Sequence, residues 1–225
     1  MDRVTATGWQ VIVPVKRTVQ GKSRLASFAG ELRADLAYAI ALDTISAAIA
    51  SPRIARLLVV TDDERVQEEA IRLGAHVLAD VGGGLNAALR HGADAAAALA
   101  PDAPLAALQG DLPALRAADL SEALELAGRH DRAFVADAEA TGTTLLAGSS
   151  RAAFDPAFGN GSRDAHRQRG FVELDAPDAA TAGVVTAWRS LRRDVDTDVS
   201  LQEAAAIGLG ERTRLVFERL TQSPS

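Results

Sequence analysis

Three short stretches carry side chains whose types and spacing suit one kind of chemistry, nucleotidyl transfer assisted by a metal ion. They are Ile12-Val-Pro-Val-Lys-Arg17 running into Gly21-Lys-Ser-Arg-Leu25, then Leu108-Gln-Gly-Asp-Leu-Pro113, and finally Arg193-Asp-Val-Asp-Thr197. The first places Lys16, Arg17, Lys22 and Arg24 directly after an apolar run, where their charges can gather around a polyphosphate. The others place Asp111, and then Asp194 and Asp196, where strands are expected to end. Magnesium prefers one or two carboxylates together with phosphate oxygens and water, so aspartates in that position suit it. Each also has a plainer use. Asp111 could cap the helix that follows it, and Asp196-Thr197-Asp198 offers several caps for the next one. Two aspartate sites together with a cationic loop are more specific than any one of the three. Gly21-Lys22-Ser23 alone invites a P-loop reading, but Lys16 stands where that motif requires its first glycine.

A softer group consists of Thr143, Thr144, Gly159, Gly161 and Ser162. Ser162 can open a short helix through Arg169, with glycine-exposed N–H groups and Arg163 beside it, an arrangement that suits a phosphate. A flexible loop with a capping serine reads equally well from the same residues. Asp62 and Asp63 read as helix caps rather than ligands. The histidines at 76, 91, 130 and 166 show no His-x-His or His-x3-His spacing, so packing and surface roles are expected of them.

Positioning these groups calls for a mostly parallel sheet. Val11 to Val15 is a short apolar run of the kind buried on both faces. A helix is predicted over residues 32–50, a strand over 54–61, a helix over 64–73 ended by Gly74, a strand over 75–79 and a helix over 85–99. A strand over 104–109 and a helix near 117–127 follow. Such alternation implies parallel strands covered by helices. After residue 130 the rhythm changes: residues 132–136 and 143–147 are predicted as neighbouring antiparallel strands, and 171–174 as a further strand. The last element predicted is a helix through about Ile207, with frayed ends near 1–9 and 219–225. The fold class expected is therefore α/β, a single Rossmann-like domain over residues 1–225, with helices on both faces of the sheet and an antiparallel portion.

Composition narrows the function. The chain has 225 residues, 48% of them apolar, which is ample for a buried core. A net charge of −6 argues against nucleic acid as a partner, because duplex affinity rests on many phosphate contacts from Lys and Arg. No cysteine is present, which removes disulfides and thiolate metal sites. The polar first ten residues do not resemble a signal peptide, and no apolar run reaches the roughly 20 residues of a membrane span. A soluble, cytoplasmic protein without membrane or nucleic-acid partners is expected.

With these residues assembled, the chain resembles the guanylyltransferases of coenzyme F420 biosynthesis, which act on phosphoenolpyruvate or 2-phospho-L-lactate and are related to the molybdenum-cofactor guanylyltransferases. The resemblance spans about residues 10–210. It is carried by Val13-Pro-Val-Lys16 with Gly21-Lys-Ser-Arg-Leu25, Gly84-Leu-Asn-Ala-Ala-Leu89, Gln109-Gly-Asp-Leu-Pro113, Phe158-Gly-Asn-Gly-Ser162 and Asp194-Val-Asp-Thr197. The broader group opens with a glycine-rich loop; Pro14 and Lys16 here fit the F420 branch better than the molybdenum or sugar-phosphate enzymes. The resemblance implies Mg2+ on Asp111 and Asp196, with Asp194 as a supporting ligand. It implies GTP on Pro14, Val15, Lys16, Lys22 and Arg24, with the purine near Gly84, Leu85 and Asn86. Thr144, Gly159 and Ser162 would hold the phosphorylated three-carbon acid, and Lys22, Arg24 and Asp111 would carry the catalysis. Phosphoenolpyruvate is the expected acceptor and 2-phospho-L-lactate the alternative, with the product passed to a downstream transferase. A non-catalytic nucleotide-binding module is the reading from another class, and retention of Asp111 with the Asp194/Asp196 pair counts against it. The sequence leaves the oligomeric state open, a homodimer included.

Overall fold

The computed structural model describes residues 8–18, 22, 25–174 and 188–222. Its strands are β1 (Trp9–Pro14), β2 (Ile54–Val60), β3 (His76–Leu78), β4 (Leu105–Leu108), β5 (Arg132–Ala136), β6 (Thr143–Gly148) and β7 (Val172–Glu173). They form one sheet in the order β3-β2-β1-β4-β6-β5-β7. β1 pairs in parallel with β2 and β4, β2 with β3, and β5 with β7. Only β6 runs against its neighbours, antiparallel to both β4 and β5. That reversal matters for function. It brings the beginning of β6, Thr143 and Thr144, to the edge where β1 to β4 end.

The described helices are α1 (Ala26–Ala29), α2 (Arg33–Ile49), α3 (Glu64–Leu73), α4 (Leu85–Leu99), α5 (Ala117–Ala127), α6 (Ser162–Gln168), α7 (Arg189–Arg192), α8 (Asp198–Ile207) and α9 (Glu211–Gln222). The two sides of β1 explain their placement. Val11 and Val13 pack with Leu57, Val59 and the apolar faces of α2, α3 and α5. Ile12 faces the other way, with Leu58, Val60, Phe134 and the α4 residues Ala88, Leu89 and Ala93. A strand covered on both faces reads as an unbroken apolar run, which is why β1 shows no alternation in sequence. No helix among the described residues is long and apolar enough to cross a membrane.

Two ends differ from the sequence-based expectation. Trp9, assigned to a frayed terminus, is buried and already part of β1. The helix α9 was not anticipated, because its start carries no local capping signal. Its cap comes from afar: the buried Asp43 on α2 accepts the backbone N–H of Thr213 at 2.7 Å and that of Arg212 at 3.3 Å. Val216 of α9 then joins Leu25, Leu36, Ile40, Val195 and Leu201 in a third apolar cluster. This cluster packs the first and third of the chemically suggestive stretches against each other.

Candidate active site

A cleft of about 320 Å³ opens at the carboxyl ends of β1 to β4. Ligands of open α/β sheets bind at this edge. Pro14, Val15, Lys16, Lys22, Gly84, Leu85, Asp111 and Asp196 line it, so most of the expected nucleotide and metal residues come together here. Lys16 points into the cleft without an ion-pair partner among the described residues. Arg17 turns away to pair with Asp62 at 2.8 Å and does not line the cleft. Arg24, with Gly21 and Ser23, lies outside the described residues.

Gly110 sets the exit of β4. A Cβ on it would stand 2.8 Å from the carbonyl oxygen of Pro14, so only glycine lets the two strand ends approach this closely. Asp111 follows directly. Its main-chain oxygen accepts the N–H of Val195 at 3.1 Å, which ties the Asp194-Val-Asp196 stretch to the end of β4. Lys22 joins both side chains, donating to Asp111 Oδ2 at 2.6 Å and to Asp196 Oδ1 at 2.9 Å. Burial by itself would lower the Lys22 pKa. The two carboxylates outweigh it and hold the ammonium above its ordinary value. Three sequence stretches thus meet at a single nitrogen.

The capping alternatives do not hold for these aspartates. The residue capping α5 is Arg116, well past Asp111. The cap of α8 is Thr197, which forms a reciprocal capping box with Ser200 and leaves the Asp196 side chain to Lys22. Asp63, by contrast, does cap α3, accepting from Val66 N at 3.2 Å, as expected of it.

A divalent cation fits the acidic end of the cleft. Two carboxylates already share one cation there, and Asp111 Oδ1 is buried with no hydrogen-bond partner among the described residues, an arrangement that otherwise costs free energy. Asp194 adds to the case. Its carboxyl is pushed up to about 7, by burial first and then by repulsion from Asp111, Asp196 and Asp137.

Thr144, Gly159 and Ser162, expected to hold the acid, are absent from the lining of the cleft, and His166 ties their region together. Thr144 lies at the start of β6, beside Gln109, whose N–H donates to its carbonyl at 2.9 Å. Its hydroxyl is buried and has no hydrogen-bond partner among the described residues. Ser162 is buried and is the first residue of α6 rather than its cap, which is Gly161. Gly159 precedes it with φ 145°. His166, fully buried among Phe134, Phe158 and Phe171, holds this loop to the sheet. Its Nε2 accepts the Ala157 N–H at 3.0 Å, which places the ring proton on Nδ1, 2.9 Å from Thr143 Oγ1.

Burial first, and then Arg169, lower the His166 pKa to about 4 from the ordinary 6.5. A histidine kept neutral by the fold takes up fewer protons than the unfolded chain between these values. Its stabilisation is therefore complete above pH 6.5 and is lost as the pH falls to about 4. By pH 4 the loss should approach ~3 kcal/mol. Denaturant midpoints measured across that range check this: the advantage of wild type over His166→Gln should shrink towards pH 4. A constant gap would contradict the assignment.

Asn86 was expected beside the purine. It does not line the cleft; its side-chain amide bonds both to Phe158 O and from Phe158 N, each at 2.8 Å. It therefore joins the start of α4 to the loop around Phe158. Asp80, Thr18 and Gln109 also line the cleft and were not singled out as site residues. The signal for Asp80 was present, since it closes the third strand as Asp111 closes the fourth.

The sequence matches the family described as Guanylyl transferase CofC like over residues 9–169. It is 48% identical over 216 residues to the phosphoenolpyruvate guanylyltransferase of Streptomyces coelicolor, covering 94% of this chain and 97% of that protein. With the phosphoenolpyruvate guanylyltransferase of Streptosporangium roseum it shares 46% identity over 222 residues, 98% of this chain and 95% of that one. In fold it is similar to a nucleotidyl transferase from Methanothermobacter thermautotroptrophicus, with a TM-score of 0.54 and 18% identity, covering 89% and 98% of the two chains.

Proposed function

Because the chain belongs to the CofC-like guanylyl transferase family, we propose that it joins GMP from GTP to phosphoenolpyruvate, releasing pyrophosphate and giving enolpyruvyl-diphospho-guanosine for coenzyme F420 biosynthesis. The observation carrying this reading to the chemistry is the Lys22 ammonium held between Asp111 and Asp196 in a cleft at the carboxyl edge of the sheet. It puts a cation for a polyphosphate and carboxylates for a dication at one point.

A phosphate oxygen of the acceptor attacks the α-phosphorus of GTP, and the bond from that phosphorus to the β-phosphate oxygen breaks. A phosphomonoester has its second pKa near ~6, so the nucleophile is ionised at neutral pH and no base need remove a proton. That agrees with the cleft, whose lining holds no histidine. The residues' task is to align two anions and offset their repulsion. Lys16 and Lys22 take the triphosphate. Asp111 and Asp196, with Asp194 beside them, would hold Mg2+, which supplies charge neutralisation at the phosphate oxygens. Thr144, Gly159 and Ser162 receive the acid.

Ser162→Ala should raise KM for phosphoenolpyruvate about tenfold, the weight of one lost bond to an anion. KM for GTP should change little. Steady-state kinetics with each substrate varied would detect this, and an equal rise in both constants would remove Ser162 from the acceptor site. The reading itself is tested by pyrophosphate release with GTP and Mg2+, using phosphoenolpyruvate or 2-phospho-L-lactate as acceptor and ATP as control nucleotide. Release with GTP and phosphoenolpyruvate is expected. Release with 2-phospho-L-lactate alone would keep the chemistry and change the acceptor, and silence with both would overturn the reading.

A further inference from the structure

A cleft meant for a triphosphate has reason to exclude carboxylates other than those that hold its metal. This one contains a third, Asp80, besides Asp111 and Asp196. Asp80 follows β3, the outermost strand on its side of the sheet, two strands from β1 and three from β4. At ~4.8 Å per strand, its strand end lies about 10 Å from the phosphate loop and about 14 Å from the end of β4. Among the described residues it has no cationic partner. One oxygen, Oδ1, accepts the Gly82 N–H at 3.0 Å, which fixes the carboxylate against its own turn. The turn continues through Gly82, Gly83 and Gly84 at φ 75°, 79° and 86°, a left-handed run that only glycine adopts freely. It brings the bare backbone of Gly84 to the wall of the cleft.

Charge and position decide which part of a nucleotide can lie here. A phosphate would be repelled by Asp80, whereas the cations Lys16 and Lys22 lie in the same cleft. The nucleotide therefore lies across the strands, polyphosphate over β1 and β4 and base towards β3. Val60 at the end of β2, with Leu85 and Ala88 of α4, gives that end apolar surface for the faces of a ring. Of the two purines, guanine alone presents two adjacent donors on its Watson–Crick edge, N1–H and the 2-amino group. An ionised carboxylate only accepts, and it can accept both. Adenine turns the lone pair of N1 to the same position. We infer that Asp80 is the side chain that reads guanine, accepting N1–H and the 2-amino group and so selecting GTP over ATP. This rests on the guanylyl-transfer reading above and names the specificity determinant of that site.

Asp80→Asn provides a test with a gain as well as a loss. The amide oxygen can still accept the Gly82 N–H, so the turn is retained. Asparagine then offers one acceptor and one donor in place of two acceptors, which suits xanthine, with its N1–H and 2-oxo groups. Sites that bond a substrate group reject analogues lacking it strongly, so the ratio of kcat/KM for GTP over XTP should fall about a hundredfold or more. Calorimetric binding of GTP, XTP and ATP to wild type and variant reads the same preference without turnover. A shift towards XTP in binding supports the inference. An unchanged GTP-to-XTP ratio in the variant overturns it, as does a wild type that binds GTP and XTP alike. If wild type binds GTP selectively but releases no pyrophosphate with either acid, the guanylyl-transfer reading fails while the binding comparison still judges Asp80.

Discussion

Asp111→Asn and Asp196→Asn are each expected to lower kcat by roughly 10³-fold at saturating Mg2+, the scale on which charge stabilisation is lost when a reacting phosphate loses its metal. The substitutions keep the shape of the side chain and remove its charge. Asp111 anchors Val195 through its main-chain oxygen at 3.1 Å, and that bond survives the change. Folding should therefore hold while the divalent ion loses a ligand. Two unit charges 4 Å apart interact by about 4 kcal/mol at an effective dielectric of 20, so one missing charge beside the metal and triphosphate is a large loss. Steady-state kinetics over a Mg2+ titration would separate weaker binding from slower chemistry. Turnover within tenfold of wild type in both variants would remove the metal from these aspartates.

Lys22→Met should lower kcat/KM for GTP by about 10²-fold to 10³-fold, because it would remove the donor proposed for the triphosphate. Methionine keeps the apolar stem, which suits a side chain that is only 12% exposed. A second effect has the opposite direction. In the free protein Lys22 neutralises Asp111 and Asp196, at 2.6 Å and 2.9 Å, and so occupies their attraction for a dication. Without it the two carboxylates are left together, and Mg2+ binding should become tighter in the absence of nucleotide. A ligand that binds the folded form raises stability in proportion to its affinity. The rise in Tm on adding Mg2+ without GTP should therefore be larger in Lys22→Met than in wild type. Equal rises in the two proteins would mean that Lys22 does not stand where the metal binds.

Much of this was legible in sequence because local rules carry it. The apolar run of β1, the capping of α3 by Asp63 and the break at Gly74 depend on neighbours a few residues away. The expectation that Asp111 follows a strand is met, whereas Asp194 and Asp196 follow the short helix α7 and not the strand end expected of them. The helix α9 was not legible, since Asp43 caps it from α2, 170 residues earlier in the chain. Asn86 was expected at the purine; its amide donates to and accepts from the backbone of Phe158, 72 residues away. No local pattern encodes such bonds.

By itself the sequence determined the kinds of group available: cations after the first strand, aspartates at 111, 194 and 196, small and hydroxyl residues near 144 and 159–162, and no thiol. Residue type and short-range spacing set these. Tertiary structure decided which of them meet. The parallel order of β1 to β4 puts four strand ends on one edge, and the reversal of β6 brings Thr144 to it. It turned Arg17 outward to Asp62, released Asp111 and Asp196 from capping, and placed Asp80 in the same cleft. Distances between strand ends are set by packing over the whole sheet, and packing is a property of all the residues at once.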